Sequence, residues 1–499
     1  MKYLIGADFG GGSSKATLLR EDGKIIAAAS KEYPTFYPED GWAEQDPEDS
    51  YRAFVENVRT VMRDGAVSPD EVACLCLDGA THTAVLLDEQ DIPVRNAIYW
   101  TDSRSREEVR FLKEQYEERI YAYAWNTPNE MWTLPHLMWL RKHEGTDFRR
   151  IHKIMFMKDY VRYRLTGDFV TDYVEAMGSM LMDVPNGCWS DELCALAGIR
   201  KEMLPQIVDP MEILSPISER ACRETGLSPH TKVIAGATDT VMEVYASGAI
   251  QEGQMTVKLA TAGRICPITD HALSNRRLVN YRHIIPGLWY PGTGTKSCAA
   301  SYRWYRDTFG GEEQLKGTDA YEQMNRAAER VPPMSGNLYF HPYLQGELTP
   351  YFDASLRGSF TGIRSSHTKG HFTRALLEGV AYSLKDCYEL ILQENLEIHQ
   401  AIVIGGGAKG KLWRQIVSDM LGIEMIRTRN NDSSLGAAML AGVASGVFAS
   451  FEESIAKCVE IETVIRPDME TYKKYEKGFR RYQSIQKALE GIYREMGED

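Results

Sequence analysis

The chain has 499 residues, 43% of them apolar and 25% charged, with a net charge of −13. These values exclude a disordered chain and predict roughly two to four domains, each with its own core. The acidic balance argues against a dedicated nucleic-acid or anionic-membrane binder, whose footprint is basic. Nine scattered cysteines, with no CxxC pair and no His-rich cluster, argue against a zinc site or a disulfide framework and suit a reducing cytosol. No signal-peptide core opens the sequence, and no apolar run approaches the roughly 20 residues of a membrane span.

In chain order, Tyr3–Ala7 predicts a buried strand, Asp8–Ser14 a flexible polar turn, Lys15–Leu19 a second strand and Ile25–Ala28 a third. The glycine run Gly10-Gly11-Gly12 therefore joins strand to strand. A Rossmann or Walker loop joins strand to helix, so both are demoted. A hairpin tip with exposed N–H groups and a lysine can still cradle phosphate as a backbone nest; a plain Gly-rich turn is the alternative. Thr231–Gly236 predicts a strand leading to Asp239, with Thr240 and Glu243 at capping-box spacing at the start of a helix. Met255–Leu259, the small-residue turn Ala260–Gly263 and Arg264–Ile268 repeat the strand–turn–strand pattern. The repetition suggests a duplicated architecture with both turns facing a shared cleft.

A third glycine site, Gly405-Gly406-Gly407, joins strand Ala401–Ile404 to a helix from about Lys411. Here glycines permit close approach of a flat ligand at a strand's carboxyl end; a tight turn is the alternative. Ser433–Ala441 predicts a helix of small residues able to pack its backbone against a sheet or a ligand. Phe372, Leu376, Val380, Leu384, Cys387 and Ile391 mark one face of a long helix, and Tyr472 to Leu489 an amphipathic C-terminal helix that packs on its own domain. The domain boundary is placed near residue 245.

Taken in order, these blocks resemble the FGGY carbohydrate kinases, and among them the xylulokinase-like members. Asp8-Phe9-Gly10-Gly11-Gly12-Ser13-Ser14-Lys15 resembles the family's first phosphate loop. Gly41–Pro47, Ala97–Arg104, Lys158-Asp159-Tyr160, Thr171-Asp172-Tyr173, Gly346–Pro350 and Gly358–Gly362 resemble further family blocks. Gly405-Gly406-Gly407 and Leu435-Gly436-Ala437-Ala438 resemble its adenosine-site elements. The resemblance implies an α/β chain of two ribonuclease-H/actin-like ATPase domains with an interdomain cleft. Residues 1–245 would be the sugar-binding side and 246–499 the nucleotide-binding side. It implies transfer of the ATP γ-phosphate to a sugar hydroxyl, with Asp239 as general base and a contact to the substrate. Asp8 would orient Mg²⁺ together with Asp239. Gly10, Gly11, Gly12, Ser13, Lys15, Thr261, Gly263, Gly406, Gly407 and Ala408 would bind the nucleotide. Thr81, His82, Trp100, Asp102 and Arg104 would bind the sugar. An exposed salt bridge is the plainer reading of Arg104, and capping of the hairpin that of Lys15. Thr240 would supply the helix cap and free Asp239.

Seven positions depart from the family pattern. Gly11 stands where a threonine is usual, Thr81 and Thr83 flank His82 in place of Met and Gly, and His136 replaces a lysine. Leu348 replaces the arginine of GERTP, and Ala260 and Ala262 replace Gly and Ser. The expected activity is phosphorylation of a small sugar, such as the ketopentose xylulose. Another ketose, a polyol, a modified sugar or a non-catalytic regulatory relative stays open, and an ATP-driven chaperone or filament protein is the remotest reading. The expected partner is a small-molecule sugar, with no nucleic acid and no membrane; a homodimer is open, and the expected location is the cytoplasm.

Overall fold

The computed structural model describes residues 1–310 and 318–496. The chain packs as two units: Met1–Gly248, Asn280–Trp289 and Asn430–Glu460 form the first, and Ala249–Val279, Tyr290–Arg429 and Ile461–Asp499 the second. The first change falls close to residue 245, but no single boundary describes the division, because the chain returns to the first unit twice.

The first unit begins with strands β1 (Tyr3–Phe9), β2 (Ser13–Arg20) and β3 (Ile25–Glu32), helix α1 (Pro47–Asp64) and strand β4 (Val72–Gly79). Helices α2 (Met157–Thr166) and α3 (Tyr173–Gly178), the short strands β5 (Lys232–Val233) and β6 (Ala237–Thr238) and helix α4 (Asp239–Ala246) follow. The second unit has β7 (Gln254–Leu259), β8 (Gly263–Pro267), β9 (Thr293–Thr295), α5 (Ala299–Phe309), α6 (Lys369–Leu392), β10 (Gln400–Ile404), α7 (Lys411–Leu421) and β11 (Glu424–Thr428). Helix α8 (Ser433–Ser445) belongs to the first unit again. Strand β12 (Ile461–Ile465) and helix α9 (Met469–Met496) complete the second.

Both sheets follow one scheme. In the first, the order is β5-β4-β1-β2-β3, with β6 also on β4; β1, β2 and β3 are antiparallel, and β4 runs parallel to β1. In the second, the order is β9-β8-β7-β10-β11-β12, again three antiparallel strands followed by parallel β10 and β11. The repeated strand–turn–strand pattern is thus a repeated topology.

The strand expected over Thr231–Gly236 is broken into two. Gly236 has φ +76°, and a Cβ there would lie 2.0 Å from the Leu77 carbonyl oxygen. The backbone kinks at the one residue type that fits, and β6 then re-pairs with β4. The cores are separate. Ile5, Phe9, Leu18, Phe54, Leu75 and Tyr160 belong to that of the first unit, and Val257, Tyr343, Leu376, Val403, Trp413 and Tyr482 to that of the second. The long helix is α6 and is buried almost throughout, while α9 buries Tyr475, Phe479 and Tyr482 against the second unit.

Helix α8 lies on the first unit's sheet. A Cβ on Gly6 would stand 2.0 Å from the Ser434 carbonyl oxygen and 2.4 Å from the Ala438 nitrogen, and one on Gly436 would meet the Met242 carbonyl at 2.1 Å. Small residues here let one helix backbone touch β1 and α4 together. The segment 435–438, read above as an adenosine-site element, is therefore buried packing between a sheet and a helix.

Candidate active site

Three parallel strand ends carry carboxylates side by side. Asp8 on β1 is in register with Asp78 on β4, and Ala237 on β6 is in register with Asp78 from the other side, which puts Asp239 just past the end of β6. Carboxyl ends of parallel strands are the usual place for a site in such sheets. Among the described residues neither oxygen of Asp78 meets an N–H or O–H donor, and the residue in register beside it is Asp8. Burial, then the Asp239 carboxylate, pushes Asp8 up to about 7. Burial and the Asp8 charge hold Asp78 well above the ordinary carboxylate range. Two like charges this close do not both ionise in a desolvated place.

Asp239 is half-buried and is the first residue of α4, whose cap position is Thr238. Thr240 is therefore not the cap. Its hydroxyl instead donates to Asp239 Oδ1 at 3.1 Å. The capping-box spacing misled because the backbone turns helical one residue before Thr240. At the first turn of a helix the peptide dipoles favour a negative side chain.

The turn between β1 and β2 is shorter than expected, with only Gly10, Gly11 and Gly12 outside the strands. Its three carbonyls are held from the protein side. Tyr33 Oη donates to Gly10 at 2.7 Å, Gln45 Nε2 to Gly11 at 3.1 Å with Thr35 Oγ1 as a second donor, and the Tyr33 N–H to Gly12 at 3.1 Å. Ser13, half-buried, closes the hairpin by accepting from the Gly10 N–H at 3.0 Å. Lys15 neither caps the hairpin nor stands free. Its Nζ pairs with Asp432 at 2.7 Å, and Asp432 caps α8 through the Ser434 N–H and hydroxyl. Thr17 and Ser434 hydroxyls meet at 2.7 Å, a second tie between this hairpin and α8.

The sugar-side residues divide into two groups. Thr81 Oγ1 and the His82 N–H both donate to Glu175 Oε1, at 2.9 and 3.0 Å. His82 has φ +73°, its Nδ1 faces the Gly178 carbonyl, and its Nε2 lies 3.0 Å from the Tyr281 hydroxyl. Both ring nitrogens are thus engaged within the protein, and Trp132 meets the ring edge-on at 4.7 Å. Gly178 allows this: a Cβ there would lie 2.4 Å from Thr81 Oγ1 and 3.3 Å from the His82 ring. Glu175 belongs to a buried ionic set. Lys158 pairs with Asp159 and Asp172 at 2.5 and 2.7 Å, and Arg162 with Asp159 at 2.7 Å. Arg162 also donates to the Ala235 carbonyl, which fixes the chain entering β6 and hence Asp239. Burial outweighs the Lys158 charge and raises Glu175 to about 8.

Asp102 and Arg104 form the second group. They are not an exposed pair: the Arg104 side chain is fully buried, with Nη2 2.8 Å from both Asp102 and Glu44, and its guanidinium lies 3.8 Å over the Trp42 ring. Asp102 also accepts from the Ala43 and Arg104 N–H groups, at 2.6 and 2.8 Å. Trp100 beside them is 40% exposed, an open aromatic face. His136 is buried below this pair, and burial lowers it to about 4, so it is neutral where the family has a lysine.

In the second unit, the Thr261 turn and the Gly405–Ala408 corner are neighbours. A Cβ on Gly405 would lie 2.8 Å from the Leu259 carbonyl and 3.2 Å from the Ala260 nitrogen. Ala260 and Thr261 carbonyls accept the first N–H groups of α5, and Gly263 packs under Thr295 and Leu384. Gly406 is exposed with nothing within 4 Å of an added Cβ, and Gly407 is closed in by Trp413 and Leu259. Ala408 is buried in the core.

Asp78, Glu175, Tyr281 and Asp432 escaped the motif reading. Asp78 was visible only as a carboxylate at a strand end, and the other three had no local signal. The donor set fits a hydrated divalent cation: Asp8 Oδ1 is buried without a hydrogen-bond donor, and Mg²⁺ needs only one or two carboxylates beside waters and phosphate oxygens. Among the described residues no group of three or more His, Cys, Asp or Glu side chains forms a protein-only metal cage, and no helix is long and apolar enough to cross a membrane.

Comparison with known proteins agrees with this architecture. The profile of the N-terminal domain of the FGGY family of carbohydrate kinases matches residues 3–245, and that of its C-terminal domain residues 259–445. A xylulose kinase of Bacillus subtilis is 30% identical over 488 residues, 97% of each chain. The crystal structure of a gluconate kinase from Lactobacillus acidophilus superposes with a TM-score of 0.92 at 27% identity, covering 99% of both chains. That of a ligand-bound xylulose kinase from Lactobacillus acidophilus also reaches 0.92, at 26% identity, covering 99% of this chain and 100% of the other. The chain belongs to the FGGY family of carbohydrate kinases and is an ATP- and Mg²⁺-dependent sugar kinase.

Proposed function

We propose that the chain phosphorylates a small neutral ketose, with xylulose as the leading acceptor and Asp239 as the general base. The observation that carries this reading is the position of Asp239: half-buried, at the end of β6 and the start of α4, beside the Asp8–Asp78 pair. In the reaction the sugar hydroxyl oxygen bonds to the γ-phosphorus, the bond to the β–γ bridging oxygen breaks, and the hydroxyl proton passes to Asp239. Asp8 and Asp239 would hold Mg²⁺, which neutralises phosphate charge. The Gly10–Gly12 turn supports phosphate binding because its carbonyls and the Gly10 N–H are already committed within the protein, leaving the N–H groups of Gly11 and Gly12 to an anion. Thr261, Gly263, Gly406, Gly407 and Ala408 are proposed for the nucleotide, with the bare surface of Gly406 against adenosine.

Trp100 offers an aromatic face to a sugar's C–H side. Thr81 and His82 shape the wall of the acceptor site, with Asp102 and Arg104 holding the segment beneath Trp100. A neutral acceptor is favoured over a sugar acid because Lys15 and Arg104 are both committed to carboxylates. Gluconate is the second reading, favoured by the fold shared with the Lactobacillus acidophilus gluconate kinase. A coupled ADP-release screen over ketopentoses, ketohexoses, polyols and aldonates tests both. Highest kcat/KM with xylulose or another neutral ketose is expected; a preference for gluconate refutes the neutral-acceptor reading, and sugar binding without ADP release refutes the kinase.

A further inference from the structure

Residue 11 at the tip of the first turn is a glycine where the family pattern has threonine. The space its side chain would need is taken. A Cβ on Gly11 would lie 2.7 Å from the Tyr99 hydroxyl oxygen, 3.3 Å from its Cζ and 3.4 Å from its Cε1. The turn cannot retreat, since Gln45 and Thr35 hold the Gly11 carbonyl and Tyr33 holds both neighbouring ones. Nor can Tyr99 swing away. The residue is 8% exposed, it directly follows the two-residue strand Ala97–Ile98 paired to Glu44–Gln45, and its N–H donates to the Ala43 carbonyl at 2.9 Å.

The environment of that hydroxyl suits a donor. A phenol keeps its proton at any working pH, and burial holds this one above its ordinary range. The geometry places that hydroxyl directly against the tip of the glycine turn, where an incoming anion would meet it.

We propose that Tyr99 is a phosphate-binding residue: its hydroxyl replaces, from 88 positions along the chain, the side-chain donor that Gly11 lacks, and bonds an oxygen of the transferring phosphoryl group. This rests on the kinase reading. It makes Gly11 and Tyr99 a matched pair, so that either residue changed alone is a defect and the two changed together are partly restored.

The test uses the full chain and three variants: Tyr99→Phe, Gly11→Thr, and Gly11→Thr combined with Tyr99→Leu, with Tyr99→Leu alone as reference. A hydrogen bond to a charged group is worth roughly a 10- to 100-fold change, so Tyr99→Phe should lose that much in kcat/KM for ATP. Its thermal midpoint and its sugar affinity without nucleotide should be unchanged. Gly11→Thr should lose activity through the clash, and the double variant should exceed Tyr99→Leu in kcat/KM for ATP. Wild-type ATP kinetics in Tyr99→Phe, or a double variant no better than Tyr99→Leu, overturns the proposal while leaving the kinase reading intact. A wild-type chain that releases no ADP with any sugar overturns the kinase reading and this proposal with it.

Discussion

Glu175→Gln tests the buried ionic set behind the sugar wall. Glu175 is 1% exposed and sits with Lys158, Arg162, Asp159 and Asp172. Two cations already face two anions there, so a charge on Glu175 would be the odd one. Burial lifts it from an ordinary 4.5 to about 8. Between those values the folded state binds a proton that the unfolded chain has lost, so stability is fully present below about pH 4.5 and falls as pH rises toward 8. At roughly 1.4 kcal/mol per pH unit, the loss reaches about 3 kcal/mol at pH 7 and about 5 kcal/mol above pH 8. Glutamine is the neutral isostere, and its Oε1 can still accept from Thr81 and the His82 N–H. The unfolding free energy of Glu175→Gln minus that of the wild type, from urea titrations at pH 5, 6, 7 and 8, should rise with that slope. Other titrating groups cancel in the difference, and an unmatched amide N–H shifts its offset, not its slope. Parallel curves across the range would refute the reasoning.

Three further outcomes are expected. Asp239→Asn should fold normally, bind sugar by calorimetry, and lose turnover by several orders of magnitude; near-normal turnover removes Asp239 from the base role. Gly6→Ala drives a methyl into the α8 backbone and strains the Thr17–Ser434 bond, and should cost about 2–4 kcal/mol in urea unfolding; a loss under about 1 kcal/mol would mean that α8 moves freely on the sheet. Gly406→Ala meets open space, so the melting temperature should hold while the KM for ATP rises; an unchanged KM would take Gly406 out of the nucleotide site.

The strands, both hairpin turns and the strand-to-helix corner at Gly405 were legible because alternation and glycine runs are local signals. Asp239 was legible as a carboxylate after a strand, although the start of its helix was misplaced by one capping pattern. What was not legible depends on pairing across distance. Asp78 meets Asp8 only through the register of β1 on β4, and the Tyr281 hydroxyl reaches His82 across 199 positions. Asp432 claims Lys15 only because α8 lies on the first sheet. Arg104 read as a sugar contact or an exposed salt bridge, because nothing nearby in sequence announces that Trp42 and Glu44 would wall it in.

The return of α8 has a consequence for synthesis and dissection. The first sheet is covered on one side by residues that leave the ribosome only after most of the other unit has been made. A truncated product ending at residue 248 would carry β1 with an uncovered strip around Gly6, a sticky surface rather than a finished fold. Cutting this enzyme into halves by sequence position is thus the wrong experiment, and a nascent chain has to keep that strip out of trouble until the closing helix arrives.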